Sequence, residues 1–246
     1  MSDFKGKAAL VTGAGSGIGE ATARELYRRG AQLFLGVHSE EQVRALTEQL
    51  PGSRARAFDV RDRAAVAALV GAAVSAFGKL QLCVNCAGIT GPAATPIPDY
   101  DADAFEEVIA TDVTGMFLLL KHQIPALLGA GGGAIVNMSS ANGVVGIPGM
   151  AGYTAAKHGV IGLTRSAALE FAGQGVRVNA VAPGYVETPK VLAAGEEMLA
   201  QFRAAHPMGR LAKPQEVVDM ILFLLSDQSS FATGGVYSLD GGYTAQ

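Results

Sequence analysis

Lys7-Ala8-Ala9-Leu10-Val11-Thr12-Gly13-Ala14-Gly15-Ser16-Gly17-Ile18-Gly19 is the stretch whose reading decides the fold. Residues 7–12 are a short apolar run of strand length, glycines at 13, 15, 17 and 19 make a turn, and residues 20–29 suit a helix. Strand, glycine-rich turn and helix in that order form a cradle for a phosphate. Glycines let backbone N–H groups approach a pyrophosphate, and the amino end of a helix favours its negative charge. The spacing of positions 13, 17 and 19 is Gly-x-x-x-Gly-x-Gly, not Gly-x-Gly-x-x-Gly. Taken alone, such a turn serves equally well as a plain structural loop.

The same alternation continues along the chain. Residues 33–37 read as a second strand; Ser39-Glu40-Glu41-Gln42 has capping-box form and opens a helix that Pro51-Gly52 ends. A third strand covers 55–60, and Asp62 caps the alanine-rich helix 63–77. A fourth strand at 80–85 precedes a Gly- and Pro-rich loop at 90–98, and helices are expected over 101–110 and 112–128. Strands at 134–138 and 176–181 flank a helix over 153–171. Pro183-Gly184 opens an irregular segment, with a substrate lid expected within 185–213, before Pro214 starts a helix to 225 and 236–239 closes as a strand. Strands alternating with helices predict one α/β domain over 1–246. It is a doubly wound, Rossmann-like parallel sheet of about seven strands with helices on both faces.

Composition narrows the function. With 246 residues, 49% of them hydrophobic, the chain buries a large core, and its net charge of −3 argues against a nucleic-acid partner. Met1-Ser2-Asp3-Phe4-Lys5 lacks the apolar core of a secretory signal, and the apolar run 220–225 is far short of a membrane span, so a cytoplasmic protein without a membrane partner is expected. The two cysteines, Cys83 and Cys86, have Cys-x-x-Cys spacing, which suits a redox pair or half a zinc site. Three residues apart on a buried strand, however, they point to opposite faces. His38, His122, His158 and His206 show no ligand spacing, so no metal is expected.

Tyr153-Thr154-Ala155-Ala156-Lys157 carries the chemistry. On a helix, positions four apart share a face, which puts a phenol beside an ammonium. A free phenol titrates near ~10. A cation ~4 Å away favours the phenolate by up to about 4 kcal/mol at an intermediate dielectric. That is the scale needed to exchange a proton with an alcohol near neutrality. A surface Tyr-Lys pair has the same spacing, so the rest of the chain has to decide.

Along nearly its whole length the chain resembles the short-chain dehydrogenase/reductase family. The matching residues are Thr12-Gly13-Ala14-Gly15-Ser16-Gly17-Ile18-Gly19, Asp59-Val60, Asn85-Cys86-Ala87-Gly88, Ser140, Tyr153 with Lys157, Asn179, Pro183-Gly184 with Thr188, and Asp240-Gly241-Gly242. The resemblance implies that the backbone of Gly13, Ser16, Gly17, Ile18 and Gly19 holds a pyrophosphate. Asp59 then faces the adenine amine, Val60 packs on its ring, and Asn85 sits near the adenosine ribose with Ala87 and Gly88. Val186 and Thr188, after Pro183 and Gly184, meet the nicotinamide carboxamide. Tyr153 is the implied acid/base, Ser140 the hydroxyl that holds the substrate oxygen, and Lys157 the group that binds the nicotinamide ribose and supports the phenolate. Ser139 is a rival by residue type; only the spacing to Tyr153 selects Ser140.

Two positions depart from the family pattern. Cys86 replaces the second of two asparagines, and Asp112 stands where the family has a catalytic asparagine. At the end of the second strand, where NAD-preferring members carry an acid, the chain has Val37, His38 and Ser39. No carboxylate there repels a 2′-phosphate, so NADP(H) is expected over NAD(H), with Val37 at the 2′ position and His38 among the cofactor-binding residues. The loops 90–98, 141–150 and 186–206 are rich in Val144, Val145, Ile147, Met150, Val191, Leu192, Met198, Leu199 and Phe202, which suits an apolar ketone or secondary alcohol. Between Lys121 and Lys157 only His122 could be a cation, which disfavours an acidic carrier-protein substrate. The helices at 112–128 and 153–171 are apolar on several faces, which a symmetry mate would cover; the resemblance implies a homotetramer, and a monomer with well-covered helices is the alternative. Dehalogenase relatives replace the lysine and spoil the glycine turn, and both are intact here. A catalytically silent dinucleotide sensor or scaffold is the remaining alternative, with Asp112 its one hint.

Overall fold

The computed structural model describes residues 3–246. Strands β1 (Ala8–Thr12), β2 (Gln32–Val37), β3 (Arg54–Ala57), β4 (Leu82–Asn85), β5 (Gly133–Met138), β6 (Val176–Pro183) and β7 (Val236–Leu239) pair in parallel in the order β3-β2-β1-β4-β5-β6-β7. Chain order reverses beside β1, where Thr12 is level with Gly36 on one side and Asn85 on the other. Connections from β1 and β4 leave in opposite directions there, so a crevice opens at the strand carboxyl ends.

Helices α1 (Gly17–Arg28), α2 (Glu40–Gln49), α3 (Arg63–Phe77), α4 (Ala102–Ile109), α5 (Gly115–Gly129), α6 (Ala151–Phe171), α7 (Pro189–Leu192), α8 (Glu196–Ala204) and α9 (Pro214–Leu225) complete the fold. Successive strand residues face opposite sides of a sheet. Ala9, Val11, Leu33, Leu35 and Val84 therefore pack under α1, α2 and α9, whereas Leu10, Phe34, Cys83 and Ile135 pack under α3, α5 and α6. Burial on both faces explains why these strands read as near-continuous apolar runs. Cys83 and Cys86 are free thiols that pack in the cores on opposite sides of the sheet.

Local signals set several boundaries. The Ser39 hydroxyl accepts from Gln42 N at 3.3 Å, and Asp62 accepts from Ala64 N and Ala65 N at 2.8 and 3.2 Å. Three expectations need correction. Strand β3 ends at Ala57 rather than residue 60, because Phe58, Asp59 and Val60 turn out to line the crevice. The helices expected over 101–110 and 112–128 are one continuous run, joined by a π-helical turn at Ala110–Thr114. Asp101 caps α4 through Ala104 N, but Asp112 caps nothing, since its carboxylate is drawn inward. The lid segment is not irregular: it holds α7, α8 and a bridge between Val186 and Ala212. Among the described residues no helix is long and apolar enough to cross a membrane, and no group of three or more His, Cys, Asp or Glu is placed to hold a metal ion.

Candidate active site

A cleft of about 510 Å³ occupies the crevice and is lined by Gly13, Ser16, Gly17, Ile18, Gly19, His38, Asp59, Val60, Ala87, Gly88 and Thr188 among others. Its floor is the turn between β1 and α1. A Cβ at Gly19 would lie 2.2 Å from the Gly13 carbonyl oxygen, and Gly13 itself has φ 66, so neither position accepts a side chain without distorting the turn. Ser16 precedes α1 in extended conformation and makes no side-chain cap, so the N–H groups of the first turn face the cleft without a local acceptor from Ser16.

Sequence reasoning missed several residues of this cleft, among them Gln42, Arg61, Glu107 and Lys190. Gln42 accepts from His38 N at 3.0 Å and lies against Gly15, tying the end of β2 to the turn. Arg61 holds both oxygens of Asp59, with Nη2–Oδ2 at 2.7 Å, and reaches Glu107 at 3.3 Å. That guanidinium lowers the Asp59 pKa against the opposing effect of burial. Lys190, from α7, donates to Thr90 Oγ1 at 2.8 Å and straps the lid to the loop after β4. The Asp59–Arg61 spacing was the one signal that could have pointed to Arg61; Gln42 was seen only as a cap, and Glu107 and Lys190 carried none.

Asn85 does not meet the cleft with its side chain. Its amide donates to Gln123 Oε1 and Asn137 Oδ1, both at 2.9 Å, and accepts from Gln123 Nε2 at 2.8 Å, in a network that continues to Thr164. A buried amide must be satisfied, and here the core supplies every partner. Pro183, Gly184 and Val186 also stand back from the lining. Gly184 faces the His206 ring, with a built Cβ only 2.4 Å from Nε2, and Val186 is buried in its bridge.

The chemistry-bearing groups gather where α6 begins. Lys157 Nζ stands 5.3 Å from the centroid of the Tyr153 ring. It donates to the Met138 carbonyl at 3.2 Å and lies 2.9 Å from Asp112 Oδ2, with both side chains buried. Burial opposes the ammonium, but the neighbouring Tyr153 and Asp112 charges outweigh it and the Lys157 pKa is raised. Met138, whose carbonyl Lys157 meets, and Cys86 line the cleft, whereas Tyr153, Lys157 and Ser140 are not part of its lining. Burial pushes the Cys86 thiol up to about 12, with Lys157 pulling the other way, so it stays protonated.

The two serines part company here. Ser139 is buried and its hydroxyl donates to the Lys157 carbonyl at 3.1 Å, whereas Ser140 remains partly exposed and meets Asn142. Asn142 donates on to Thr154 Oγ1 at 3.3 Å, linking the loop after β5 to α6 beside Tyr153. Over this end lies the lid. Tyr185 stacks on Phe202 with centroids 3.9 Å apart, and burial raises its pKa, with Tyr243 and Tyr153 adding to the effect. His206 bonds Phe202 O through Nδ1 and accepts from Tyr185 N through Nε2, the pattern of a neutral ring.

A family model described as enoyl-(acyl carrier protein) reductase matches residues 13–244. Cis-4-hydroxycyclohexanecarboxylate dehydrogenase of Sinomonas cyclohexanicum is 47% identical over 98% of this chain and 98% of its own length. The chain belongs to the short-chain dehydrogenase/reductase family. Cyclohexanol dehydrogenase of Acinetobacter sp. (strain SE19) is 41% identical over 99% of this chain and 97% of its own. A crystal structure of levodione reductase superposes with a TM-score of 0.93 at 36% identity, covering 98% of this chain and 99% of that one. As a member of this family the protein is an oxidoreductase acting on CH–OH groups and their carbonyl counterparts.

Proposed function

We propose that the protein interconverts an alicyclic secondary alcohol and its ketone, with Tyr153 as general acid/base and NADP(H) preferred over NAD(H). The observation that carries this reading is the Lys157 ammonium fixed 5.3 Å from the Tyr153 ring centroid and bonded to the carbonyl of Met138, a residue that lines the cleft. The residues present fit a dinucleotide: the cradle at Gly13 and Gly19 leaves no room for side chains, and the amino end of α1 faces the cleft. When bound, the nicotinamide supplies or takes up the hydride. The chain's own groups do the rest. Ser140 holds the substrate oxygen, the Tyr153 hydroxyl gives or takes its proton, and Lys157 supports the phenolate. In the oxidative direction the C–H hydrogen leaves as hydride while the O–H proton passes to Tyr153; reduction reverses both.

A preference for NADP(H) is supported by the absence of a carboxylate at Val37 and His38. Arg61 does not add to it, being held by Asp59 and Glu107. The ring-shaped substrate is supported by the names of the relatives and by the apolar lid, where Tyr185 lies flat on Phe202. Phe117 on α5 and Leu169 on α6 remain exposed although most apolar residues of these helices are covered within the chain, which supports a homotetramer that sedimentation would reveal. The test of function is a panel of cyclic and open-chain secondary alcohols and ketones with both nicotinamides, read by nicotinamide absorbance. Turnover of cyclic members with NADP(H) is expected. Cofactor binding without turnover of any member would overturn the reading and leave a dinucleotide sensor in its place.

A further inference from the structure

The π-helical turn at Ala110–Thr114 points one carboxylate into the core, against the only ammonium beside Tyr153 among the described residues. Asp112 Oδ1 accepts from Ile89 N at 2.8 Å, and Oδ2 lies 2.9 Å from Lys157 Nζ. That second contact is an ion pair, and among the described residues Oδ2 has no donor besides the Lys157 ammonium. The surroundings are shaped for the carboxylate: a Cβ at Gly88 would stand 2.9 Å from Oδ2. Other ionisable groups near the pair offer little competing charge. Cys86, from the end of β4, stays protonated; Tyr185, with Tyr243 behind it, is held towards its phenol form; Tyr100 is shifted the same way by burial. Glu107, on α4, is held by Arg61; His206 lies beyond Tyr185, and His158, on α6, turns Nδ1 to Thr154 O.

We propose that Asp112 is a positioning residue that fixes the Lys157 ammonium and offsets part of its field at Tyr153, so that alcohol oxidation requires a more alkaline solution than a neutral side chain at this place would. The inference rests on the reading of Tyr153 as acid/base. Oxidation starts from the phenolate, a second negative charge around one ammonium, and the carboxylate disfavours it through space. Reduction starts from the phenol and keeps its rate to higher pH. The three groups titrate together, so the readout is the macroscopic limb of the pH profile.

The experiment measures kcat/KM for oxidation against pH in the wild type, Asp112→Asn, Asp112→Ser and Asp112→Glu. Asparagine retains an acceptor for Ile89 N, and serine supplies a second neutral variant if asparagine fails to fold. In the neutral variants the acid limb should move down by about one pH unit, while Asp112→Glu should stay within about half a unit of the wild type. A purely structural role would lower the profile without moving its limb. A limb that stays in place, or rises, in a folded neutral variant overturns the proposal. Tyr153→Phe, run alongside, separates the two levels: full activity there removes the acid/base reading. An inactive Tyr153→Phe with an unmoved limb in the neutral variants removes only the role of Asp112.

Discussion

Replacing Lys157 with methionine keeps a long apolar stem and removes the cation that, among the described residues, pairs with Asp112. The Asp112 side chain has no exposure, and its remaining partner is Ile89 N at 2.8 Å. Breaking a buried ion pair from one side costs about 3–5 kcal/mol. The surviving hydrogen bond places the loss near the lower end, about 3 kcal/mol, which is a large part of a domain stability of about 5–15 kcal/mol. Urea unfolding of the protein without cofactor, at one protein concentration and neutral pH, measures the loss. Adding Asp112→Asn to Lys157→Met should recover most of it. A deficit under about 1 kcal/mol, or one that does not respond to the second substitution, would refute the reasoning.

His38→Asp places a carboxylate in the cleft at the end of β2, where under the proposed cofactor reading it repels a 2′-phosphate and accepts from a 2′-hydroxyl; the kcat/KM ratio should move towards NAD(H) by about tenfold. A wild type that already strongly prefers NAD(H) would end the NADP(H) reading. Val37, although next in line, is 2% exposed and packed in the core, so an acid there would also cost stability. Glu25, held down to about 2 by Arg28 first and then by Arg29 against the effect of burial, stabilises the fold above its ordinary value of 4.5. That contribution is lost as pH falls from there through about 2, so Glu25→Gln should flatten this part of the acid-unfolding curve; an unchanged curve would show the two arginines to be spectators.

Much of the fold was legible because its signals are local. Apolar runs gave seven strands, and the caps Ser39 and Asp62 and the proline at 214 marked helix starts that depend on neighbouring residues alone. Asp112 misled for the opposite reason. An aspartate before Val113-Thr114-Gly115 reads as a helix start, but its partners, Lys157 and Ile89 N, are remote in sequence, and the carboxylate turns inward within an unbroken helix. The short helices of the lid had readable signals that went unused: Thr188 followed by Pro189, and Glu196-Glu197 after Gly195. At the site, the geometry of the glycine turn and the nearness of Lys157 to Tyr153 could be read because both depend on local spacing, whereas the roles given to them rest on the family resemblance. Asn85 could not, since only the folded core shows that Gln123 and Asn137 take its amide.

The central claim is that the Tyr153 hydroxyl moves the proton while its ring only packs. Tyr153→Phe removes the one and keeps the other. Steady-state turnover of a cyclic alcohol should fall by at least ~100-fold, the usual scale for losing a general acid/base. Cofactor affinity, measured in the same preparation by fluorescence titration, should stay within about twofold. Turnover near that of the wild type, with cofactor bound, would contradict the account.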